Sequence, residues 1–475
     1  MASSTRREFL KSAAVIGAGA SFGACSRLAR HRVHDVAVIG AGIAGLAAAR
    51  TLRQTGLDVM VLEARERIGG RIETLHEPAP HGLEIGAQMI HGSHASTWEV
   101  IREAAIPTRS LGEWDRTLWS PAGGFLRPRL EQVARLQERL TEAFHGYRGD
   151  DIPYGRFLSG LQLSDSEQVM ANEDALSWSA EPDDISLFAA IEDSAAWEAY
   201  MDDNFQVVGG YDQVPRFLAR SLDGGDRLRL SCPVARIAWD GDPVVIGCRR
   251  EGRDDTVRAR RAVITVPIGV LQAGLPAFTP ALPGWKSDAI GALRMGRVVV
   301  AHLLFDDWFW RAPGGRPRSW TTRGGRASFW DPHPPGRGMP MLEAWITGTA
   351  AQEVSDRGPD AGLTRLLEWI DEVIPAGRAA DRLTWSTVRD WVADPWSHGS
   401  YSFTLPGGMA QRAVLATPIA GRLYFAGEAT APSPHYQTVH GAYSSGRRAA
   451  REILASLGVD MPDPADRAGG DQPAA

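Results

Sequence analysis

The chain has 475 residues, a formal net charge of -6 and 44% apolar residues. That length exceeds a typical single domain and suggests two or three interleaved ones around an ample core. The acidic balance, with no basic face, excludes nucleic acid as a partner. Three scattered cysteines, Cys25, Cys232 and Cys248, give neither a disulfide framework nor metal-ligand spacing, so no metal is expected.

The first thirty residues read as an address. Thr5-Arg6-Arg7-Glu8-Phe9-Leu10-Lys11 resembles the twin-arginine export signal at every position. The Ala- and Gly-rich run from Ser12 to Ala24 is too short and too weakly apolar for a permanent anchor. Phe22-Gly23-Ala24-Cys25 is a poor lipidation site, because Phe stands where Leu is usual. Gly17, Gly19 and Gly23 follow no strand and are not read as a nucleotide loop. No later apolar run reaches spanning length. The resemblance implies recognition by the twin-arginine machinery and a soluble, exported product, periplasmic or extracellular.

Residues 33–95 begin with the first chemical motif. Asp35–Ile39 is a short apolar run fit for a buried parallel strand. Gly40, Gly42 and Gly45 follow, then a helical stretch from Leu46 to Gln54 closed by Gly56, then Val59–Leu62 ending at Glu63. This is a complete strand-turn-helix-strand unit ending in an acid, the dinucleotide-binding arrangement. Gly40 permits the tight turn, Gly42 lets backbone approach a pyrophosphate, and Gly45 lets helix and strand pack closely. The helix N-terminus offers N–H groups and partial positive charge to the phosphates, and Glu63 suits a ribose hydroxyl. The unit alone does not separate FAD from NAD. Gly69-Gly70-Arg71, just after the second strand, lets backbone and guanidinium meet an anion together.

From here the chain, between about residues 35 and 455, resembles the flavin amine oxidase family, and polyamine oxidases most closely. The resemblance rests on the Gly-Gly-Arg extension and on Leu83-Glu84-Ile85-Gly86-Ala87-Gln88-Met89-Ile90-His91-Gly92. It rests equally on Tyr424-Phe425-Ala426-Gly427-Glu428-Ala429-Thr430 and on His435-Tyr436-Gln437-Thr438-Val439-His440-Gly441-Ala442. Gly209-Gly210 after Phe205 is similar to the family's helix-opening turn, and Cys232-Pro233-Val234 and Ala262–Pro267 to strands of its FAD domain. The charged stretch from Arg249 to Arg261 is expected to be a hairpin turn between them. The resemblance implies FAD as cofactor, held by Gly40, Gly42, Gly45, Glu63, Arg65, Gly70, Arg71, Gly86, Ala87, Val234, Glu428, Thr438 and Val439. Ser400 stands where some relatives carry the cysteine that bonds the flavin, so binding is expected to be non-covalent.

The implied fold combines α/β and α+β: a Rossmann-like FAD-binding domain from residues 33–95, 205–275 and 385–458, interleaved with a mixed-sheet and helical substrate domain from 96–204 and 276–384. Residues 1–32 form the leader and 459–475 a disordered tail. Glu131 to Phe144 is a clear amphipathic helix.

The implied activity is oxidation of an amine to an imine, which water converts to an aldehyde while O2 becomes H2O2. The amine must be neutral with its carbon over the flavin, so the protein supplies position and a desolvated, aromatic-walled pocket. Tyr401 matches one aromatic wall. The second falls on Thr438, leaving Trp396 or Tyr436 to complete it. Glu84 and His91 resemble substrate-tunnel residues gripping a second amino group; structurally, Glu84 would cap local backbone and His91 pack in its loop. His435 and His440 suit structural or FAD-adjacent roles. The lysines are Lys11 and Lys286 only, and the family's lysine near the flavin falls on Val300. That departure favours a second reading, an amine or amino-acid dehydrogenase passing electrons to an acceptor other than oxygen; a third is a flavin-binding protein without catalysis. His302, on the same strand face as Val300, is expected to be a core residue.

Overall fold

The strands that frame the site are, in chain order, β1 (Val33–Ile39), β2 (Val59–Leu62), β3 (Leu228–Arg229), β4 (Val234–Ala238), β5 (Val244–Arg250), β6 (Arg253–Ile264), β7 (Ala277–Thr279), β8 (Val298–Phe305), β9 (Met341–Thr347), β10 (Leu383–Asp390) and β11 (Leu423–Phe425). The helices that matter are α1 (Ile43–Gln54), α2 (Leu187–Tyr200) and α3 (Val439–Leu457). These come from a computed structural model describing residues 32–79, 82–111, 116–119, 125–126, 130–200, 203–222, 226–310, 319–322, 327–332, 338–374 and 377–460. The expected leader, with Thr5–Lys11 and Cys25, and nearly all of the expected tail lie outside the described residues.

β3, β2, β1, β6 and β11 lie side by side and parallel, with Ile39 opposite Leu62 on one side and Ile264 on the other. A strand covered on both faces must be apolar at every position, and the Val36–Ile39 part of β1 and all of β2 are continuous apolar runs for that reason. Alternation splits them into two cores. Val36, Val38, Val59, Val61 and Val263 face α1 and α3, whereas Ala37, Ile39, Met60, Leu62 and Ile264 face the layer containing Cys232 and Ile246. The N-terminal half of β6 leaves the parallel sheet and pairs antiparallel with β5, which pairs with β4. The charged stretch expected as a turn is therefore mostly strand. Only Glu251 and Gly252, at φ of 50° and 76°, make the turn, a two-residue connection of the kind that demands positive φ at both positions.

β8 pairs antiparallel with β9 and β10, and the second sheet continues through Ala327–Trp330 and Ser319–Thr321. Its odd-numbered face, Val299, Ala301, Leu303 and Phe305, packs under helices Gly348–Arg357 and Pro359–Val373. The opposite face presents Val298 and Val300 to Trp345 and Trp391. Helices Leu130–Gly146, Tyr154–Ser159 and α2 contribute to a separate apolar cluster that includes Phe403. Both sheets belong to one compact unit beginning at Val33. Among the described residues no helix is long and apolar enough to cross a membrane.

Candidate active site

The glycine turn separates three jobs. Gly40 has φ of 111°, a conformation L side chains rarely adopt. A Cβ on Gly45 would stand 2.0 Å from the Gly40 carbonyl oxygen, so helix and turn close only on glycine. A Cβ on Gly42 would meet nothing within 4 Å; it would project into a cavity. Gly42 begins α1 without a side-chain cap, and no acid occupies the first helical turn. Unsatisfied N–H groups and the helix dipole there favour an anion.

Around this turn the expected cofactor residues assemble. Glu63 is buried, accepting from the N–H of Ala41 at 2.7 Å and of Arg65 at 2.8 Å. Burial pushes its pKa up, while those N–H groups and Arg65 pull the other way. Gly70, at φ of 61°, lies with its Cβ direction 3.3 Å from Gly42 Cα. Arg65 donates two hydrogen bonds to Asp394, at 2.8 and 2.7 Å, and Arg389 adds a third at 2.7 Å. Burial alone would raise the Asp394 pKa, but the two guanidiniums hold it at about 2. Arg71 donates to the Ser400 carbonyl at 2.5 Å and to Glu428 at 3.0 Å. Ala87 N–H donates to the Arg71 carbonyl at 2.9 Å, and a Cβ on Gly86 would stand 2.1 Å from that oxygen. Val234 sits on β4 at the cavity wall. Thr438 caps α3, its hydroxyl accepting from Gly441 N–H at 2.9 Å, and Val439 opens that helix.

All of these open on, or stand behind, one cavity of about 980 Å3. Gly42, Glu63, Gly70, Arg71, Val234, Glu428 and Val439 line one part of it. This cradle fits FAD: the open Gly42 position, the uncapped α1 N-terminus and a buried acid at the end of β2 are what a dinucleotide needs.

The remaining wall is aromatic. Tyr401, Tyr436, Trp178, Trp330, Trp345 and Trp396 line it, so the partner for Tyr401 that Thr438 fails to supply has two claimants. Tyr401 hydroxyl receives a hydrogen bond from Ser179 at 2.5 Å and donates to the Ser177 carbonyl. Burial pushes its pKa up to about 12. His91 lines the cavity with Nδ1 2.7 Å from Asn204, and burial lowers its pKa against that hydrogen bond, which keeps the ring neutral. His440 rests against His435, ring nitrogens 3.2 Å apart; burial and then its neighbours hold it at about 3. Ser400 hydroxyl donates to the Gly296 carbonyl at 3.1 Å.

Two positions singled out in the sequence stand off the cavity. Glu84 does not line the cavity: its oxygens accept from Tyr211 N–H at 2.7 Å and Thr74 hydroxyl at 2.8 Å, so it caps backbone beside the Gly209-Gly210 turn. The short Leu83–Glu84 strand turns the carboxylate into protein, and burial raises its pKa to about 8. Val300 is fully buried between Val298, Trp345 and Trp391, and Val298 reaches the cavity instead. His302 is also fully buried, 3.4 Å from Glu343, whose other contacts are Gln88 and Trp330.

Sequence reading missed Asp193 and Asp203, which line the cavity beyond the cofactor cradle. Asp193, on α2, accepts from Trp178 Nε1 at 2.9 Å and acts electrostatically on both Tyr401 and Tyr436. Asp203 accepts from Ser110 at 2.6 Å. No motif marks either: α2 carries no acid spacing distinct from an exposed helix face, and Asp203 stands in the connection between α2 and the strand Asn204–Val207. Among the described residues the cations lining the cavity are Arg65 and Arg71, and both are committed to carboxylates. No group of His, Cys, Asp or Glu among them could hold a metal.

Comparison with known proteins agrees with this geometry. Residues 43–454 match the sequence profile of the flavin containing amine oxidoreductases. Polyamine oxidase 4 of Oryza sativa subsp. japonica is 31% identical over 439 residues, covering 84% of this chain and 85% of that protein. Lysine-specific histone demethylase 2 of Homo sapiens is 30% identical, covering 84% of this chain and 50% of that protein. The solved structure of cyclohexylamine oxidase from Brevibacterium oxydans superposes with a TM-score of 0.74 at 25% identity, covering 90% of this chain and all of that one. With a profile match across nearly the whole described unit, the chain belongs to the flavin containing amine oxidoreductases, with FAD as its cofactor.

Proposed function

We propose that this enzyme oxidises a di- or polyamine, with oxygen as the electron acceptor. The observation that carries the substrate class is the charge of the cavity beyond the cofactor cradle: Asp193 and Asp203 line it, and among the described residues no arginine or lysine there is available to a substrate carboxylate. A cationic substrate gains from both acids, whereas an amino acid would bring its carboxylate into an acidic, aromatic space.

FAD, when bound, accepts the hydride equivalent from the carbon beside nitrogen. The chain's own residues do the rest. Tyr401 and Tyr436 flank the cationic amine on arrival and exclude water from it. Neutral His91, oriented by Asn204, accepts a hydrogen bond from an ammonium and can take the proton that must leave before oxidation. Asp193, turned toward the aromatic pair and oriented by Trp178, holds the distal cation and so fixes how deep the chain of the substrate enters. The imine product then meets water and yields aldehyde and ammonia or a shorter amine.

Val300 supports a second reading of the acceptor. A buried valine occupies the position of the family's lysine, so the reduced enzyme would pass electrons to a carrier rather than to oxygen. Export of the folded holoenzyme through the twin-arginine route, read from Thr5–Lys11, is part of the same proposal.

Anaerobic mixing of the yellow enzyme with spermine, spermidine, putrescine, monoamines and amino acids tests this reading. Bleaching by the polyamines, rapid recolouring in air and peroxide formation are expected. Asp193→Asn should raise KM about tenfold for a diamine and leave a monoamine unaffected. Bleaching by amino acids alone would overturn the substrate class; slow recolouring would favour the dehydrogenase.

A further inference from the structure

Arg412 is a buried cation that neither the glycine turn nor the aromatic wall explains. It is 4% exposed and lies just behind the cavity, in the short helix Gln411–Ala416. Burial lowers its pKa, and the nearby Glu428 carboxylate opposes that. Its hydrogen bonds go to neutral acceptors: Nε to Thr404 Oγ1 at 3.0 Å, one terminal nitrogen to Ser402 Oγ at 2.9 Å and the other to the Ser402 carbonyl at 3.1 Å. A buried guanidinium with neutral acceptors is costly, so its two remaining relationships are informative.

The first runs toward the cofactor cradle. Ser402, held by Arg412, donates its hydroxyl to Glu428 at 2.7 Å and its N–H to the same carboxylate at 3.2 Å. Glu428, which also receives Arg71, is thereby fixed in direction from both sides. Arg412's positive charge compensates a carboxylate it does not touch. The second relationship runs toward the substrate. The Arg412 guanidinium lies 4.3 Å from the centroid of the Tyr436 ring. Tyr436 is itself 4% exposed and keeps its hydroxyl 3.3 Å from Glu192. A ring with a cation on one face is held in one plane, and the small part of Tyr436 left exposed lies on the cavity wall.

We infer that Arg412 is a positioning residue that sets the two halves of the site together, fixing Glu428 through Ser402 and Tyr436 by direct stacking. This rests on Tyr436 as a substrate wall for its second half only; the cofactor half stands on the Ser402–Glu428 contacts. The arrangement makes the two effects separable. Ser402→Ala cuts the cofactor arm, Tyr436→Leu cuts the substrate arm, and Arg412→Met cuts both. Each variant is measured for FAD dissociation by titrating the stripped protein, for KM and kcat with spermidine and with putrescine, and for thermal midpoint.

The expected pattern is as follows. Ser402→Ala weakens FAD about tenfold, the loss typical of a charge-assisted hydrogen bond, with KM unchanged. Tyr436→Leu raises KM about tenfold with FAD affinity unchanged. Arg412→Met does both, and Arg412→Lys, which keeps the charge, restores part of each. If Arg412→Met lowers only the thermal midpoint and leaves FAD dissociation and KM at parental values, the inference is overturned. Should Arg412→Met fail to fold, a Ser402→Ala variant with parental FAD affinity overturns the cofactor arm. A Tyr436→Leu variant with parental KM overturns instead the reading of Tyr436 as a wall.

Discussion

Alanine at Gly42 and alanine at Gly45 should part company, although the two glycines are three residues apart in one motif. Gly42 has φ of -71° and ψ of 176°, open to any residue, and its Cβ would meet nothing within 4 Å. Gly42→Ala should therefore fold, and the loss of unfolded-state freedom should stabilise it by about 0.4–1 kcal/mol. Its methyl, however, enters the cradle. Overpacking of about 1–3 kcal/mol against a bound dinucleotide corresponds to roughly 5- to 150-fold weaker FAD. Gly45→Ala places its Cβ 2.0 Å from the Gly40 carbonyl oxygen and 3.1 Å from Thr265 Oγ1. Backbone must move to admit it, at a cost of at least about 3 kcal/mol. Thermal unfolding of the stripped proteins and quenching of FAD fluorescence on titration separate the two outcomes. A Gly42→Ala variant that binds FAD as tightly as the parent would refute the assignment of this part of the cavity, and a Gly45→Ala variant of parental stability would refute the packing argument.

Three further outcomes follow from buried groups. Glu84 titrates at about 8 when folded against 4.5 ordinarily, so the folded state binds the extra proton between those values and stability falls as pH rises across that window. Glu84→Gln should remove that slope, worth at most roughly 5 kcal/mol, in denaturant midpoints compared at pH 5 and pH 8; equal slopes in parent and variant would contradict it. Asp394→Asn leaves the half-buried Arg65 and Arg389 beside a neutral amide and should cost about 1.5–3 kcal/mol in chemical unfolding. The parent's contribution from Asp394, held at about 2 against an ordinary 3.8, should be complete above the ordinary value and fade as pH falls toward 2. Val300→Lys puts a cation among Val298, Trp345 and Trp391 and should cost about 2–4 kcal/mol. It should also speed recolouring of the reduced enzyme in air, and an unchanged reoxidation rate would detach Val300 from oxygen reactivity.

The features legible along the chain alone are short-range. The apolar runs of β1 and β2, the glycine turn between β1 and α1, and the acid at the end of β2 lie within thirty residues, so periodicity and steric demand declare them without any knowledge of distant chain. The same holds for the amphipathic helix Leu130–Gly146. Tertiary structure decided the rest because the decisive contacts join residues far apart in the chain. Arg65 meets Asp394 across 329 positions, and Arg71 meets Glu428 across 357. Glu84 illustrates the limit: its place in a familiar segment suggested a substrate contact, yet the Tyr211 N–H and Thr74 hydroxyl claim it first. Asp193 illustrates the converse, an ordinary helix acid that becomes a cavity wall only because α2 lies with that face toward Tyr401. A buried carboxylate or guanidinium goes where its hydrogen-bond partners are, and those partners exist only once both sheets and the helices around them have packed.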